Sequence, residues 1–324
     1  MSNCTRHGNF TNTMRQANRL PVGFAVSIFT LNILLSIIAS LGNALILFAL
    51  HKVRVSHLHP PTKLLFQCLA VTDLCVGFIL QSLFAILSAN DVLEINFPFS
   101  IYQALYTSSF MLCGVSILTS TTISVDRLLV LLLGPKYRHV VTLRRVRVLI
   151  IWFWLSGVSC GLMYSFWSHG MRVVFSAAVA AVIKSIIISV FSYTKIFFTL
   201  RSRQHQLHAQ DHVNQEQANG RRDILNQRLN IALYKKTVSS IAWVQLALVV
   251  CYIPFVISIV TIRINGWNGM TADIVWITTG TLLYLNSSLN PILYCWKIKQ
   301  VRKFVKNIIG QFCCLCWAEN SVVE

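Results

Sequence analysis

Seven long apolar runs constrain this chain more than anything else in it: Leu20 to Leu50, Leu64 to Ala89, Ile95 to Val125, Val148 to Trp167, Val173 to Leu200, Thr237 to Ile262 and Ile274 to Trp296. Each reaches the roughly 20 apolar residues that a helix needs to cross about 30 Å of hydrocarbon. Lipid offers the backbone no hydrogen-bond partners, so a spanning segment is either a helix or one strand of a closed barrel. Runs this long, without two-residue alternation, are not barrel strands. The expected fold is an all-α membrane protein, a bundle of seven transmembrane helices.

Composition supports that class. Hydrophobic residues make up 55% of the chain and charged residues 12%, against about 25% charged in a soluble domain; the mean hydropathy is +0.62. A net charge of +18 raises nucleic acid as a partner, and the placement of the cations decides against it. With Lys195 counted beside the segment after span five, the segments after spans one, three, five and seven hold 3, 6, 8 and 5 of the 28 Lys and Arg residues. The positive-inside rule then puts the N-terminus outside the cell and the C-terminus in the cytoplasm. The basic surplus sets orientation and attracts anionic lipid, and no nucleic-acid partner is expected.

Residues 1 to 19 are polar and lack the apolar core of a cleavable signal, so the first span is expected to act as the insertion signal. Asn3 and Asn9 each start an Asn-x-Thr sequon in that outer tail and are candidate glycosylation sites. Asn286 also starts one, but inside the seventh span. Cys4 is the one outward-facing cysteine, which rules out a disulfide scaffold and leaves it free or paired between chains. Residues Arg201 to Gln227, rich in Gln, His, Asn and Arg, read as a solvated cytoplasmic loop. The link around Ser168 to Arg172 is too short to fold over the outer mouth.

An ionisable group inside hydrocarbon costs several kcal/mol unless it faces the bundle interior, so each such group is a functional candidate. Asp126 and Arg127 adjoin at the inner end of the third run, where a charge pair can act as a switch. Asp73 is alone in span two. With Ser116, Asn286, Ser287 and Asn290 it could supply oxygen ligands to a sodium ion, coordinate water, or form a purely structural network. Lys184, about 18 Å into span five at 1.5 Å per residue, is either the counter-ion of an acidic ligand or snorkels to the headgroups. Pro254 and Pro291 interrupt the backbone ladders of spans six and seven and are candidate hinges.

These residues together resemble the rhodopsin-like (class A) G protein-coupled receptors. The markers fall one per helix: Asn43 in Leu41-Gly42-Asn43, Asp73 in Leu69-Ala70-Val71-Thr72-Asp73, Asp126-Arg127-Leu128, Trp152, Tyr193, Pro254 in Cys251-Tyr252-Ile253-Pro254, and Asn290-Pro291-Ile292-Leu293-Tyr294. The resemblance implies an outer ligand pocket and an inner cleft for a heterotrimeric G protein. It makes Asp126, Arg127, Tyr193, Tyr252, Pro254, Asn290, Pro291 and Tyr294 the activation switch. It also makes Asp73, Ser116, Asn286, Ser287 and Asn290 an inactive-state sodium pocket. The chain would divide into an extracellular tail (1–21), a receptor domain with an interfacial helix (22–310) and a cytoplasmic tail (311–324).

Departures from the family pattern carry information too. Leu128 ends the Asp-Arg-Tyr motif, Tyr252 replaces the usual Trp of span six, and Tyr234, Lys235 and Lys236 stand where many relatives place a Glu that pairs with Arg127. Tyr102 replaces the family's Cys atop span three, so the usual disulfide is not expected. On its outer face the chain resembles the melanocortin receptors and, less closely, the lipid-sensing cannabinoid group. However, Leu83, Tyr102 and Tyr106 occupy the places of the melanocortin acidic cluster, Ser109 replaces the carboxylate of amine receptors, and Tyr284 replaces the retinal-bearing Lys of opsins. The remaining pocket candidates are Phe84, Tyr106, Ser109, Phe110, Cys113, Tyr252, Phe255, Trp276 and Tyr284. They favour a neutral or lipid-like small molecule, with a peptide as the alternative.

Past span seven, Ile298, Val301, Phe304, Val305, Ile308 and Ile309 form one helical stripe, and Lys297, Lys299, Arg302, Lys303 and Lys306 the other, the pattern of an interfacial helix among membrane lipids. Cys313, Cys314 and Cys316 follow as candidate palmitoylation sites. A coupled receptor has two rivals: a non-coupling decoy receptor, which Arg127 argues against, and a transporter, which an odd span number and a single buried acid argue against. Enzymatic chemistry has neither paired carboxylates nor a histidine within a span to use.

Overall fold

The computed structural model describes residues 20–52, 59–90, 95, 97–166, 170–213, 243, 246–262, 264–266 and 269–297, and for 170–172, 207–213 and 293–297 the backbone alone. Every regular element among them is helical. The helices are α1 Val22–Lys52, α2 Pro60–Ser88, α3 Phe99–Leu133, α4 Leu143–Phe166, α5 Gly170–Val213, α6 Leu246–Ile262 and α7 Met270–Lys297. The first five are each long and apolar enough to cross a membrane. At 1.5 Å per residue the 28 residues of α7 extend about 42 Å, also sufficient. The fold is the expected seven-helix bundle.

Its surface inverts the rule for a water-soluble domain. Leu34, Ile151, Phe191 and Phe197 are each more than half exposed, whereas Asn43, Asp73, Ser116 and Asn290 are buried. Lipid solvates the first set, and the second finds partners only inside. Helix α3 is the central post, packed against α2, α4 and α5, while α7 lies against α1 and α2. Three polar ties join α1 to α7: Asn32 Nδ2 donates to Thr281 Oγ1 at 2.9 Å, Asn43 Nδ2 to the Ser287 carbonyl at 3.0 Å, and Ser288 Oγ to the Leu35 carbonyl at 3.0 Å. Gly42 allows this approach, because a Cβ there would sit 2.6 Å from Pro291 Cβ.

The structure moves several boundaries. The third span does not end at Val125, since α3 runs on to Leu133. Asp126 and Arg127 neutralise each other, and the apolar run Leu128 to Leu133 continues the helix beyond them. The segment from Arg201 is not a loop from its start: α5 continues to Val213, with no Gly or Pro between Met171 and Val213 to stop it. Arg203 Nη2 donates to the Leu131 carbonyl at 2.9 Å, tying the extension of α5 to the end of α3. Helix α7 passes through Pro291 without a break in its assignment. The six residues Val76–Gln81 of α2 form a π-helical segment, which nothing in the sequence announced; Ser36 Oγ of α1 donates to its Gly77 carbonyl at 2.8 Å.

Candidate functional site

Three groups of side chains lie in series along α3. At one end is a cavity of about 380 Å³, within the range of small-molecule sites. All nine pocket candidates line it. Phe84 comes from α2; Tyr106, Ser109, Phe110 and Cys113 from α3; Tyr252 and Phe255 from α6; Trp276 and Tyr284 from α7. Ser109 Oγ and Tyr284 Oη share a hydrogen bond of 2.7 Å, and Tyr252 Oη reaches the Cys113 carbonyl at 3.4 Å. No ionisable acid or base of the Asp, Glu, His, Lys or Arg type is among the lining residues. Lys184 is exposed on α5 and does not line the cavity, so the counter-ion reading of that residue fails.

One turn of α3 further on, Asp73 is fully buried at 0% exposure. Ser116 Oγ donates to its Oδ1 at 3.1 Å and Ser287 Oγ to the same oxygen at 2.9 Å, while Asn290 Nδ2 donates to Oδ2. Helices α2, α3 and α7 therefore meet on one carboxylate. Asn286, the fifth residue of this group, is buried but does not bond Asp73. Its Oδ1 and those of Asn43 and Asn290 have no hydrogen-bond partner among the described residues. Buried orphan acceptors beside a carboxylate suit a hard cation or ordered water.

Ten residues beyond Ser116, about 15 Å of helix, lies the charge pair. Arg127 Nη2 is 3.0 Å from Asp126 Oδ2, with side-chain exposures of 9% and 3%. Thr62 Oγ1 of α2 donates to Asp126 Oδ2 at 2.9 Å, and Tyr137 Oη, in the one-turn helix Tyr137–Val140 after α3, donates to Oδ1. Tyr137 is itself buried, and its ring meets His59 edge-on at 5.3 Å. Asp126 is thus held from α2, α3 and the following turn, and it holds Arg127 in place. Charge-assisted bonds of this kind are about twice as strong as neutral ones.

Nothing in the sequence singles out Thr62 or Tyr137. Neither carries a spacing signal, since both reach Asp126 through the fold. Tyr193 packs beside Leu128 and Ile196, next to the charge pair, and Tyr252 and Pro254 lie on α6. The side chain of Tyr294 lies outside the described residues, as do Asn3, Asn9, Tyr234, Lys235, Lys236, the stripe from Ile298 to Ile309, and Cys313, Cys314 and Cys316. The cysteines Cys68, Cys75, Cys113, Cys160 and Cys251 are free thiols.

This arrangement of seven helices around a buried Asp, with a charge pair at one end and a cavity at the other, defines a membrane receptor of the rhodopsin type. The model of the 7 transmembrane receptor (rhodopsin family) matches residues 42–174 and 156–294, and the chain belongs to that family. Melanocortin receptor 5 of Rattus norvegicus is 24% identical over 306 residues, covering 90% of this chain and 85% of its own. Adenosine receptor A3 of Ovis aries is 25% identical over 326 residues, with 92% and 94% covered. Histamine H2 receptor of Cavia porcellus is 25% identical over 324 residues, with 92% and 82% covered. Among solved structures, that of squid rhodopsin superposes with a TM-score of 0.75 at 14% identity, covering 93% of this chain and 90% of that one. The protein is accordingly a multi-pass signalling receptor of the plasma membrane and not an enzyme.

Proposed function

We propose that this receptor converts binding of an extracellular, uncharged small molecule into activation of a heterotrimeric G protein. The observation that carries the reading is that a single helix, α3, lines the cavity at Ser109 and Cys113, bonds Asp73 through Ser116, and presents Arg127 at the far end. An occupant that favours one arrangement of α3 against α6 and α7 at the cavity biases the other end of the same rigid element. Only such differential affinity can shift the equilibrium. On activation Arg127 leaves Asp126 and enters the opened inner cleft, with Tyr193 and Tyr294 turning inward and Pro254 and Pro291 as hinges.

Asp73, Ser116, Ser287 and Asn290, with the free oxygens of Asn43 and Asn286, would hold a sodium ion that favours the closed arrangement. The cation distribution supports an N-terminus outside and a C-terminus inside. On that topology Asn3 and Asn9 are available for glycosylation, and Cys313, Cys314 and Cys316 for palmitoylation beside an interfacial helix. With Lys235 and Lys236 where a restraining Glu commonly stands, basal signalling is expected above background.

The test is a panel of chimeric G proteins expressed with the receptor, read by cAMP and calcium without added ligand and then with amines, peptides, nucleosides and lipids. Signal above vector in at least one arm supports coupling. Silence in every arm, with the receptor at the cell surface, counts against it. An epitope before residue 22 is stained on intact cells if the topology is right, and one after residue 310 only after permeabilisation.

A further inference from the structure

The cavity does not stop at the centre of the bundle. Beyond the nine pocket residues it continues between α4 and α5, past Ser156, Gly157 and Cys160 on one side and Ala177, Ala178 and Ala181 on the other. Trp152 also lines it, and Trp152 is 61% exposed on the outside of the bundle; Ala177 is likewise exposed. A side chain that borders the interior cavity and the lipid-facing surface at once marks an opening in the wall. The opening exists because both facing stripes are small. Gly157 and Gly161 draw α4 onto α3, where an added Cβ would meet the Met111 carbonyl and Thr107 Cγ2 at 3.1 Å each, and the alanines of α5 put nothing large into the space left behind.

The end of the cavity away from Arg127 is spanned by aromatic rings. Phe255 meets Trp276 at 5.4 Å, Trp276 meets Tyr106 at 5.9 Å, Tyr106 meets Tyr164 at 6.3 Å, Tyr164 meets Phe110 at 5.1 Å, and Phe110 meets Phe175 at 6.1 Å. These contacts cross from α6 through α7, α3 and α4 to α5. Gln103 Nε2 donates to the Ser165 carbonyl at 2.8 Å, and Thr107 and Ser165 share a bond of 2.6 Å, tying α3 to α4 at the same level.

The geometry points to an uncharged lipid with one hydrocarbon chain and a small polar head as the ligand, entering from the bilayer between α4 and α5. This rests on the reading of the cavity as the ligand site. The apolar channel holds the chain, and the Ser109–Tyr284 hydroxyl pair offers a polar partner for a hydroxyl, ester or amide head. A charged head would leave an unpaired ion among carbon atoms, which costs far more than a neutral one. A bulky side chain in the gap slows entry and exit alike, whereas a change at Ser109 alters the final occupancy.

The experiment uses the full chain in phosphatidylcholine nanodiscs and, as probe, 1-oleoylglycerol carrying a diazirine on the acyl carbons next to its glycerol ester. Photolabelling should yield adducts on Ser109, Cys113 or Tyr284 that unlabelled 1-oleoylglycerol suppresses. In Ala178→Trp the rate of interior labelling should fall roughly tenfold, the low end of the spread of association rates among variants of one interface, with the final extent retained. Tyr164→Ala, which opens the ring layer, should leave the wild-type rate in place. Absence of competable interior adducts in the wild-type protein, which needs no variant to fold, overturns the inference. So does unchanged labelling in a folded Ala178→Trp protein, or entry that accelerates in Tyr164→Ala. If G protein coupling persists while interior labelling is absent, the lipid route alone fails. If labelling is found without coupling in any arm, the route stands and the receptor reading fails.

Discussion

The half of the bundle around Asp73 and Asp126 and the half around Tyr106 and Trp276 are made of opposite materials. In the first, carboxylates gather partners from neighbouring elements: Ser116, Ser287 and Asn290 donate to Asp73, Thr62 and Tyr137 donate to Asp126, and Arg127 forms an ion pair with Asp126. In the second, rings touch rings and the cavity wall is carbon apart from a few hydroxyls and two thiols. Hydrogen bonds have narrow geometry and discrete partners, so the polar half has distinct states that can exchange. Dispersion contacts are non-directional, so the carbon half accommodates an occupant without a unique bonding pattern. On the proposed function the polar half switches and the carbon half admits the ligand.

Four substitutions probe that contrast. The largest effect is expected for Asp126→Ala, which strands Arg127 without its partner; breaking a buried pair from one side costs about 3–5 kcal/mol. A large drop in melting temperature with raised basal signalling is the expected result, and an unchanged melt would show that Asp126 restrains nothing. Next is the proposed sodium site. At a concentration of 100 times its dissociation constant a bound ion stabilises by about 2.7 kcal/mol, so exchanging N-methylglucamine for sodium should raise the melting temperature of the wild type and not of Asp73→Asn. Equal shifts in the two proteins would place the ion elsewhere.

Tyr137→Phe removes one hydrogen bond to a charged group, about 1.5–3 kcal/mol. Basal coupling should rise while surface expression stays near wild type; basal coupling at the wild-type level would remove Tyr137 from the restraint. Smallest is Ser109→Ala in the carbon half, where a membrane hydrogen bond averages about 0.6 kcal/mol. It should barely shift the melt while weakening retention of the 1-oleoylglycerol probe. A melt as perturbed as that of Asp126→Ala would erase the distinction between the halves.

What could be read from the chain divides along physical lines. The spans were legible because lipid imposes length and polarity on every crossing helix, and the Asp73 group because each member sits inside a recognisable segment of its own helix. The nine residues that line the cavity were reached through the resemblance to rhodopsin-like receptors and not through any spacing of their own. Tyr137 and Thr62 were not, since their partner is reached only once α2 and the turn after α3 close on Asp126. The extension of α3 past Val125 was missed because a charge pair was read as a boundary, although Asp126 and Arg127 satisfy each other and leave the helix free to continue. The passage between α4 and α5 depends on how two small-residue stripes fail to meet, which is a property of packing and not of either stripe.

Arg127, released from Asp126, is proposed to act on a G protein. Purified receptor in nanodiscs, mixed with the heterotrimer that responds in cells, should accelerate GTPγS binding, and Arg127→Ala at equal folded concentration should reduce that rate to the receptor-free level. An Arg127→Ala protein that accelerates exchange as well as the wild type would contradict the account.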